Sequence, residues 1–353
     1  QAIPLIAKEA ADLTVFQRTA NYIVPANNGP VDPEVTRARK ADYEGIWQRV
    51  RESNFGFELY FLEKGALDTP DDELARALQA RWDEGGFGIW LGAYADQFFV
   101  DEANAKVRAF LHERIREKVA DPETAGLLIP KGYPFGCKRS PLDSGYFETF
   151  NLEHVHLVDV KSNPIAEITP AGVKLEDGTE YEFDAIVYAT GFDAMTGPLH
   201  LIDIRGRGGT LLREKWAEGP RTYLGLTSVD FPNLFMITGP QSPSVLSNMP
   251  VSIEQHVEFI SKIIDDMRER GAEAIEPTTQ AEDAWVAHNQ ELAEGTLFPT
   301  ADTWYMGANI PGKPRVFMPN LDFVGPYRAK CDEIAANGYE GFTFTFTKER
   351  AAR

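Results

Sequence analysis

Apolar residues recur at helical spacing over some parts of the chain and alternate at strand spacing over others. The chain opens with Ala2, Ile3, Leu5, Ile6 and Ala10 at helical spacing, with Pro4 in a first turn, and LTVFQR (13–18) follows as a strand. Helix then strand is the second part of a βαβ unit. A helix with no N-cap and no strand ahead of it reads as an element entered partway, its first strand and glycine-rich turn lying before residue 1. PANNGPVDP (25–33) is turn-forming. From about 33 to 128 the spacing is helical, most clearly in DDELARALQARW and NAKVRAFLHERIREKV, and Asp121 with Pro122 marks a helix start. This stretch reads as a helical domain or a large insertion.

Beyond 129 the pattern changes. IPKGYPFGCKRSPLDSGYFETFN (129–151) is rich in glycine, proline and aromatics, with Lys138-Arg139 in its middle. HVHLVDV is a strand, and a hairpin follows that turns at Asp177-Gly178. A third run, Ile186–Tyr188, is expected to be a buried strand that stops at Ala189-Thr190-Gly191, with Phe192 and Asp193 at the turn. NLFMITGP is a further expected strand, ending at Gly239-Pro240. It leads through a loop into a helix at about 251–270, with Ile253, Val257, Ile260, Ile264 and Met267 along one face and Gly271 as its stop. The tail holds a helix (QAEDAWVAHNQELAEG), a glycine- and aromatic-rich loop (TWYMGANIPGKPRVFM) and GYEGFTFTF. In open α/β sheets ligands sit at the carboxyl ends of strands, so TGPQSPSVLSN is placed to touch one. A core helix with a polar lead-in is the alternative.

Composition narrows the function classes. With 353 residues the chain has room for more than one domain. The formal net charge of −19 argues against a general nucleic-acid binder, which needs a basic face. No apolar run is long enough to cross a bilayer and no signal peptide is visible, so a cytoplasmic location is the default expectation. Two distant cysteines, Cys137 and Cys331, support neither a disulfide framework nor a dithiol centre. His154 and His156 share a strand face but lack ligand spacing, so surface roles are expected and no metal. Arg18 ends the second strand of the βαβ unit, where a basic residue tolerates the 2′-phosphate of NADP. A surface arginine at a strand end is the other reading.

VYATGFDAMTG (187–197) resembles the A-T-G-F-D motif of flavin-dependent Baeyer–Villiger monooxygenases. VFQRTANYIVP, KGYPFGCKRSPLDSGYFETFN, EKWAEGPRTYLGL, FPNLFMITGPQSPSVLSNMPVSIEQHVE and WYMGANIPGKPRVFM look like the same family, in its order, and cover nearly the whole chain. The likeness is greatest to the cyclohexanone and phenylacetone monooxygenase type. The family's FAD-binding G-x-G-x-x-G, its second such motif for NADPH and its F-x-G-x-x-x-H-x-x-x-W fingerprint do not occur in these 353 residues. The resemblance therefore places residue 1 just after the second glycine motif. An additional N-terminal FAD-binding segment is then expected to be needed for activity.

The resemblance implies an α/β fold of two dinucleotide-binding, Rossmann-like domains with a helical insertion, the N-terminal part missing. Residues 1–30 and 131–188 would belong to the NADPH-binding domain, 31–130 to the helical insertion, and 189–353 to the FAD-binding domain with an NADP-contacting loop. It implies FAD and NADPH/NADP as cofactors, and a small ketone and molecular oxygen as reactants. NADPH reduces the flavin, oxygen forms a flavin peroxide, and the adduct with the ketone rearranges to an ester or lactone.

Residue by residue, Arg139 matches the active-site arginine, whose fixed charge suits the peroxide and the adduct, both anions. Lys138, Arg18 and Thr19 match the pocket for the 2′-phosphate of NADPH. Trp304 matches a tryptophan that contacts the nicotinamide ribose. Met249 matches a residue near flavin and substrate, with Asn248 beside it facing the cofactor and Leu246 lining the substrate pocket; core filling is the alternative for Met249. Ala189-Thr190-Gly191 matches the crossing between the two cofactor domains. Asp193 is expected to fasten that crossing by hydrogen bonds, not to catalyse, because a carboxylate beside a peroxide anion opposes its formation. Two competing readings are a flavin N-hydroxylase acting on amines, and a catalytically inactive fragment or binding module.

Overall fold

A computed structural model describes residues 1–346. The chain divides into two compact units. The first is Gln1–Gly29 with Leu62–Gly191, and the second is Pro30–Phe61 with Phe192–Arg353.

The first unit is α/β. The strand Leu13–Gln17 pairs in parallel with Val155–Asp159, from Leu13 opposite Val155 to Gln17 opposite Asp159. Parallel neighbours need a long crossover, and helices supply it: Asp71–Glu84, Asp101–Lys118 and Pro122–Leu128. The last starts as its sequence dictates, since Asp121 caps it by accepting from the Thr124 amide at 2.8 Å, with Pro122 in the first turn. Ile115, Val119, Leu128, Phe147 and Val155 are buried together beside the sheet. A second parallel pair joins Val24–Pro25 to Leu142–Asp143. The hairpin Gly172–Leu175 and Glu180–Glu182 turns at Asp177-Gly178, where Gly178 takes φ 91° and Asp177 accepts from the Thr179 amide.

The second unit centres on the 22-residue helix Met249–Arg270, stopped by Gly271 in the left-handed conformation. The helices Thr279–Glu294 and Val324–Ala336 contribute to the same core, where Phe259, Ile263, Trp285, Tyr327, Cys331 and Tyr339 are buried. The strands Ala272–Pro277 and Phe342–Phe346 pair antiparallel. This pairing and the Val324–Ala336 helix are absent from the sequence pattern reading.

Three expectations are corrected. Ile186–Tyr188 is not a buried strand: the segment pairs with no strand, and Val187 is 75% and Tyr188 67% exposed. An apolar run is buried as a strand only when a neighbour takes its backbone groups, and among the described residues none does. NLFMITGP forms no strand either, because Asn233 and Thr238 adopt positive φ (59° and 54°) and break the extended backbone. The buried face of the Met249–Arg270 helix is also displaced. It runs through Ser252, Gln255, His256, Phe259 and Ile263, keeps Ile260 and Met267 of the expected face, and leaves Ile253 and Val257 exposed. Apolar spacing misplaces the rest of that face because three of its buried positions are polar.

Candidate functional site

The Lys138–Arg139 loop is built on a buried polar clamp in the first unit. Asn104, fully buried on the Asp101–Lys118 helix, donates from Nδ2 to the carbonyls of Gln97 (2.7 Å) and Phe135 (2.9 Å). Its Oδ1 accepts from the Phe135 amide at 3.0 Å. Gln97, also buried, donates to the Trp90 carbonyl at 3.0 Å. Gly136 takes φ 91°, and a Cβ there would lie 2.7 Å from the Phe98 ring, so the chain can pass only as glycine.

Arg139 emerges from this clamp half-buried, its guanidinium 5.0 Å from the centre of the Phe87 ring and 5.8 Å from that of Trp90. Aromatic faces hold a guanidinium in place. Two buried polar atoms nearby, Trp90 Nε1 and Ser140 Oγ, have no protein partner among the described residues. Lys138 lies with Nζ 4.1 Å from the centre of the Tyr133 ring. Burial raises the Tyr133 phenol well above its ordinary range, so it stays a neutral donor, and it bonds the Ala20 carbonyl (2.8 Å) and Asn21 Oδ1 (3.0 Å). Asn21 in turn donates to the Arg139 carbonyl at 3.4 Å. The segment just after Arg18 and Thr19 is thus tied to the Lys138–Arg139 loop through Ala20 and Asn21. Arg18 and Thr19 are exposed, and Arg18 forms no ion pair among the described residues. Burial pushes the neighbouring Cys137 thiol up to about 12, so it is an inert filler.

In the second unit, Asn248 is the residue before the Met249–Arg270 helix, yet it does not cap it. Its Nδ2 donates to the Gly56 carbonyl at 3.0 Å and its amide to that of Phe55 at 2.7 Å. Leu246, Asn248 and Met249 are all half-buried. Further up the same loop, the Thr238 amide donates to Nδ1 of His256 at 3.0 Å. Burial, and then the Arg328 charge, pushes that imidazole down to about 4, so it is a neutral acceptor.

Trp304 opens a short turn, Trp304–Met306, and packs edge-on to Tyr305 at 4.4 Å. Gly307 closes the turn with φ 71°. The loop then returns to the start of the second unit: Asn309 Nδ2 donates to the Phe192 carbonyl, and Lys313 Nζ reaches Asp193 Oδ1 (2.5 Å) and the Ala194 carbonyl (2.9 Å). Asp193 does fasten its segment by hydrogen bonds, and its partner is Lys313. Asn104, Gln97, His256 and Lys313 escape sequence reading, because each sits in an ordinary helical or loop pattern and its partners lie outside its own turn.

No family model matches the chain. A Baeyer–Villiger monooxygenase of Pseudooceanicola batsensis is 41% identical over 351 residues, which cover 99% of this chain and 64% of that protein. A phenazine N-monooxygenase of Lysobacter antibioticus is 39% identical, covering 97% and 63%. The closed crystal structure of cyclohexanone monooxygenase superposes with a TM-score of 0.94 at 42% identity, covering 98% of this chain and 65% of that one. OTEMO in complex with FAD and NADP superposes at 0.93 and 36% identity, covering 97% and 63%. The fold is therefore the α/β fold of flavin-dependent monooxygenases. Within that class the chain is similar over nearly its whole length to Baeyer–Villiger monooxygenases, and it spans a little under two-thirds of the length of the relatives it matches.

Proposed function

We propose that this chain carries the NADPH-facing and ketone-facing parts of a flavoprotein monooxygenase that uses NADPH and molecular oxygen to insert one oxygen beside a ketone carbonyl, giving an ester or lactone. The observation that carries the reading is the clamped Lys138–Arg139 loop. It holds a guanidinium against two aromatic rings and is tied to the segment that follows Arg18 and Thr19. The relatives' bound FAD and NADP support those groups as cofactors here. The residues present fit them: among the described residues Arg18 is an exposed cation without an ion pair, and Trp90 Nε1 and Ser140 Oγ are buried without protein partners. Bound flavin would supply the redox and oxygen-activating chemistry.

The remaining work belongs to this chain. Arg139 holds a permanent charge where negative charge develops on the substrate oxygen, with no proton equilibrium at neutral pH. Arg18, Thr19 and Lys138 hold the 2′-phosphate of NADPH. Trp304 presents its indole N–H to the nicotinamide ribose, Asn248 and Met249 lie toward the cofactor, and Leu246 and Met249 wall the ketone pocket. Residues 1–30 and 131–188 act as the NADPH-binding domain and 189–353 as part of the FAD-binding domain. Residues 31–130 act as the helical insertion, of which 31–61 group with the second unit. An additional FAD-binding segment completes the enzyme, a reading supported by the unpaired apolar run Ile186–Tyr188. The protein works in the cytoplasm without a nucleic-acid or membrane partner; the net charge of −19 and the lack, among the described residues, of a helix long and apolar enough to cross a membrane support this.

Two measurements test the reading. Titration with NADP+ and NAD+ should show that Arg18→Ala weakens NADP+ binding roughly 10- to 100-fold, the worth of a charge-assisted phosphate contact, and leaves NAD+ binding unchanged. Equal loss for both nucleotides would remove Arg18 from the phosphate pocket. Product analysis with FAD, NADPH and cyclic ketones should yield lactones. N-oxidation is the second reading, favoured by the phenazine N-monooxygenase relative. N-oxides from heteroaromatic amines with no lactone from ketones would establish it instead.

A further inference from the structure

The Trp304 loop and the Phe192–Ala194 segment are far apart in sequence and joined by three hydrogen bonds within the second unit. The Lys313 side chain is only 8% exposed, so its ammonium has been taken out of water and placed on one carboxylate and one carbonyl. A cation buried to this degree is costly unless it is paired, and removing its partner leaves that cost standing. The surroundings are shaped to the pair. A Cβ at Gly197 would fall 2.6 Å from Asp193 Cβ and Cγ, so only glycine lets the carboxylate tuck in. A Cβ at Gly307 would meet Lys313 Cγ at 3.3 Å and the Pro314 carbonyl at 2.8 Å, so the turn after Trp304 is packed directly on the lysine stem. The stem of Lys313 thus supports the turn that carries Trp304, while its ammonium holds Asp193.

We propose that Lys313 and Asp193 form a latch that fixes the Trp304 loop to the first residues of the second unit, making Lys313 a positioning residue for nicotinamide-nucleotide binding. The second half of this proposal rests on the reading of Trp304 given under Proposed function; the latch itself does not. Lys313 does not touch the nucleotide. It sets where Trp304 stands, so its loss raises the population of loops in which the indole is displaced, and nucleotide affinity falls by that fraction.

Amide hydrogen exchange on the chain without any cofactor tests the latch. Lys313→Met and Asp193→Asn should each speed exchange at the hydrogen-bonded amides of Gly307, Ala308 and Ile310 by roughly three- to tenfold, a range set by the partial exposure of Asp193. The amides of the Ala272–Pro277 and Phe342–Phe346 pair should be unchanged. Lys313→Arg should retain protection, and the exchange of charges, Asp193→Lys with Lys313→Asp, should recover part of it. Wild-type exchange in Lys313→Met overturns the latch. So does uniform loss across the molecule that the Arg variant and the charge exchange both fail to correct. NADP+ titration of the FAD-loaded protein tests the positioning role. Lys313→Met should raise the NADP+ dissociation constant by the same factor as loop exchange, with Lys313→Arg close to wild type. Unchanged NADP+ affinity beside faster loop exchange overturns the positioning role. If the wild type binds no NADP+, the functional reading fails and takes the positioning role with it, while the exchange result stands by itself.

Discussion

At the scale of single residues, burial decides what each polar group can do. His256 is fully buried, and its imidazole titrates near 4 against an ordinary value of 6.5. The unfolded chain takes up this proton more readily than the folded one as pH falls from 6.5 toward 4, so the folded state loses stability through that window and no further below it. The loss should be about 2–3 kcal/mol, and His256→Gln, which keeps an acceptor for the Thr238 amide, should flatten it. Urea midpoints at pH 7, 5.5 and 4.5 check this. Parallel pH dependence in wild type and variant would show that another group carries the effect. His256 is hidden in sequence because its helix also offers Ile253 and Val257, whose apolar spacing points to a face that the structure exposes. Asp193 is the contrary case. Its motif marks it and the fastening role follows, but Lys313 lies 120 residues away and carries no mark of its own.

At the scale of elements, local chemistry was legible wherever it closes on itself. Asp121 and Pro122 start a helix, Asp177-Gly178 turns a hairpin and Gly271 stops a helix, each through a side chain or a φ angle that its own neighbourhood requires. Strands are different, because their backbone groups must be met by chain from elsewhere. Leu13–Gln17 finds Val155–Asp159, whereas Ile186–Tyr188, with an equally apolar pattern, finds no partner among the described residues and stays exposed. The Arg139 loop lies between these cases. Its residue types announce chemistry, but its shape depends on Asn104. Asn104→Ala would leave the Phe135 amide and the carbonyls of Phe135 and Gln97 unpaired in a buried place. This should cost about 2–4 kcal/mol. Asn104→Asp, which keeps the acceptor and loses the donors, should lie between. Denaturant unfolding measures both, and a loss under about 0.5 kcal/mol for Asn104→Ala would mean that water replaces the clamp.

At the scale of the whole molecule, the two units each hold part of the proposed residue set. Arg18, Thr19, Lys138 and Arg139 belong to the first, and Leu246, Asn248, Met249 and Trp304 to the second. The chain carries 54 acidic against 35 basic residues, a balance that suits a small anionic ligand better than an extended polyanion. On the proposed function, the pocket wall at Leu246 and Met249 would select the ketone, and Arg139 would decide whether it is oxidised at all.

The rate of ketone-dependent NADPH oxidation by the FAD-loaded protein, compared between wild type and Arg139→Ala, is therefore the most direct measurement. The account predicts a fall on the order of 10²–10³, with ester or lactone as the wild-type product. An Arg139→Ala protein that forms the same product within a few-fold of the wild-type rate would contradict it, and the charge that stabilises the reacting oxygen would have to be sought elsewhere.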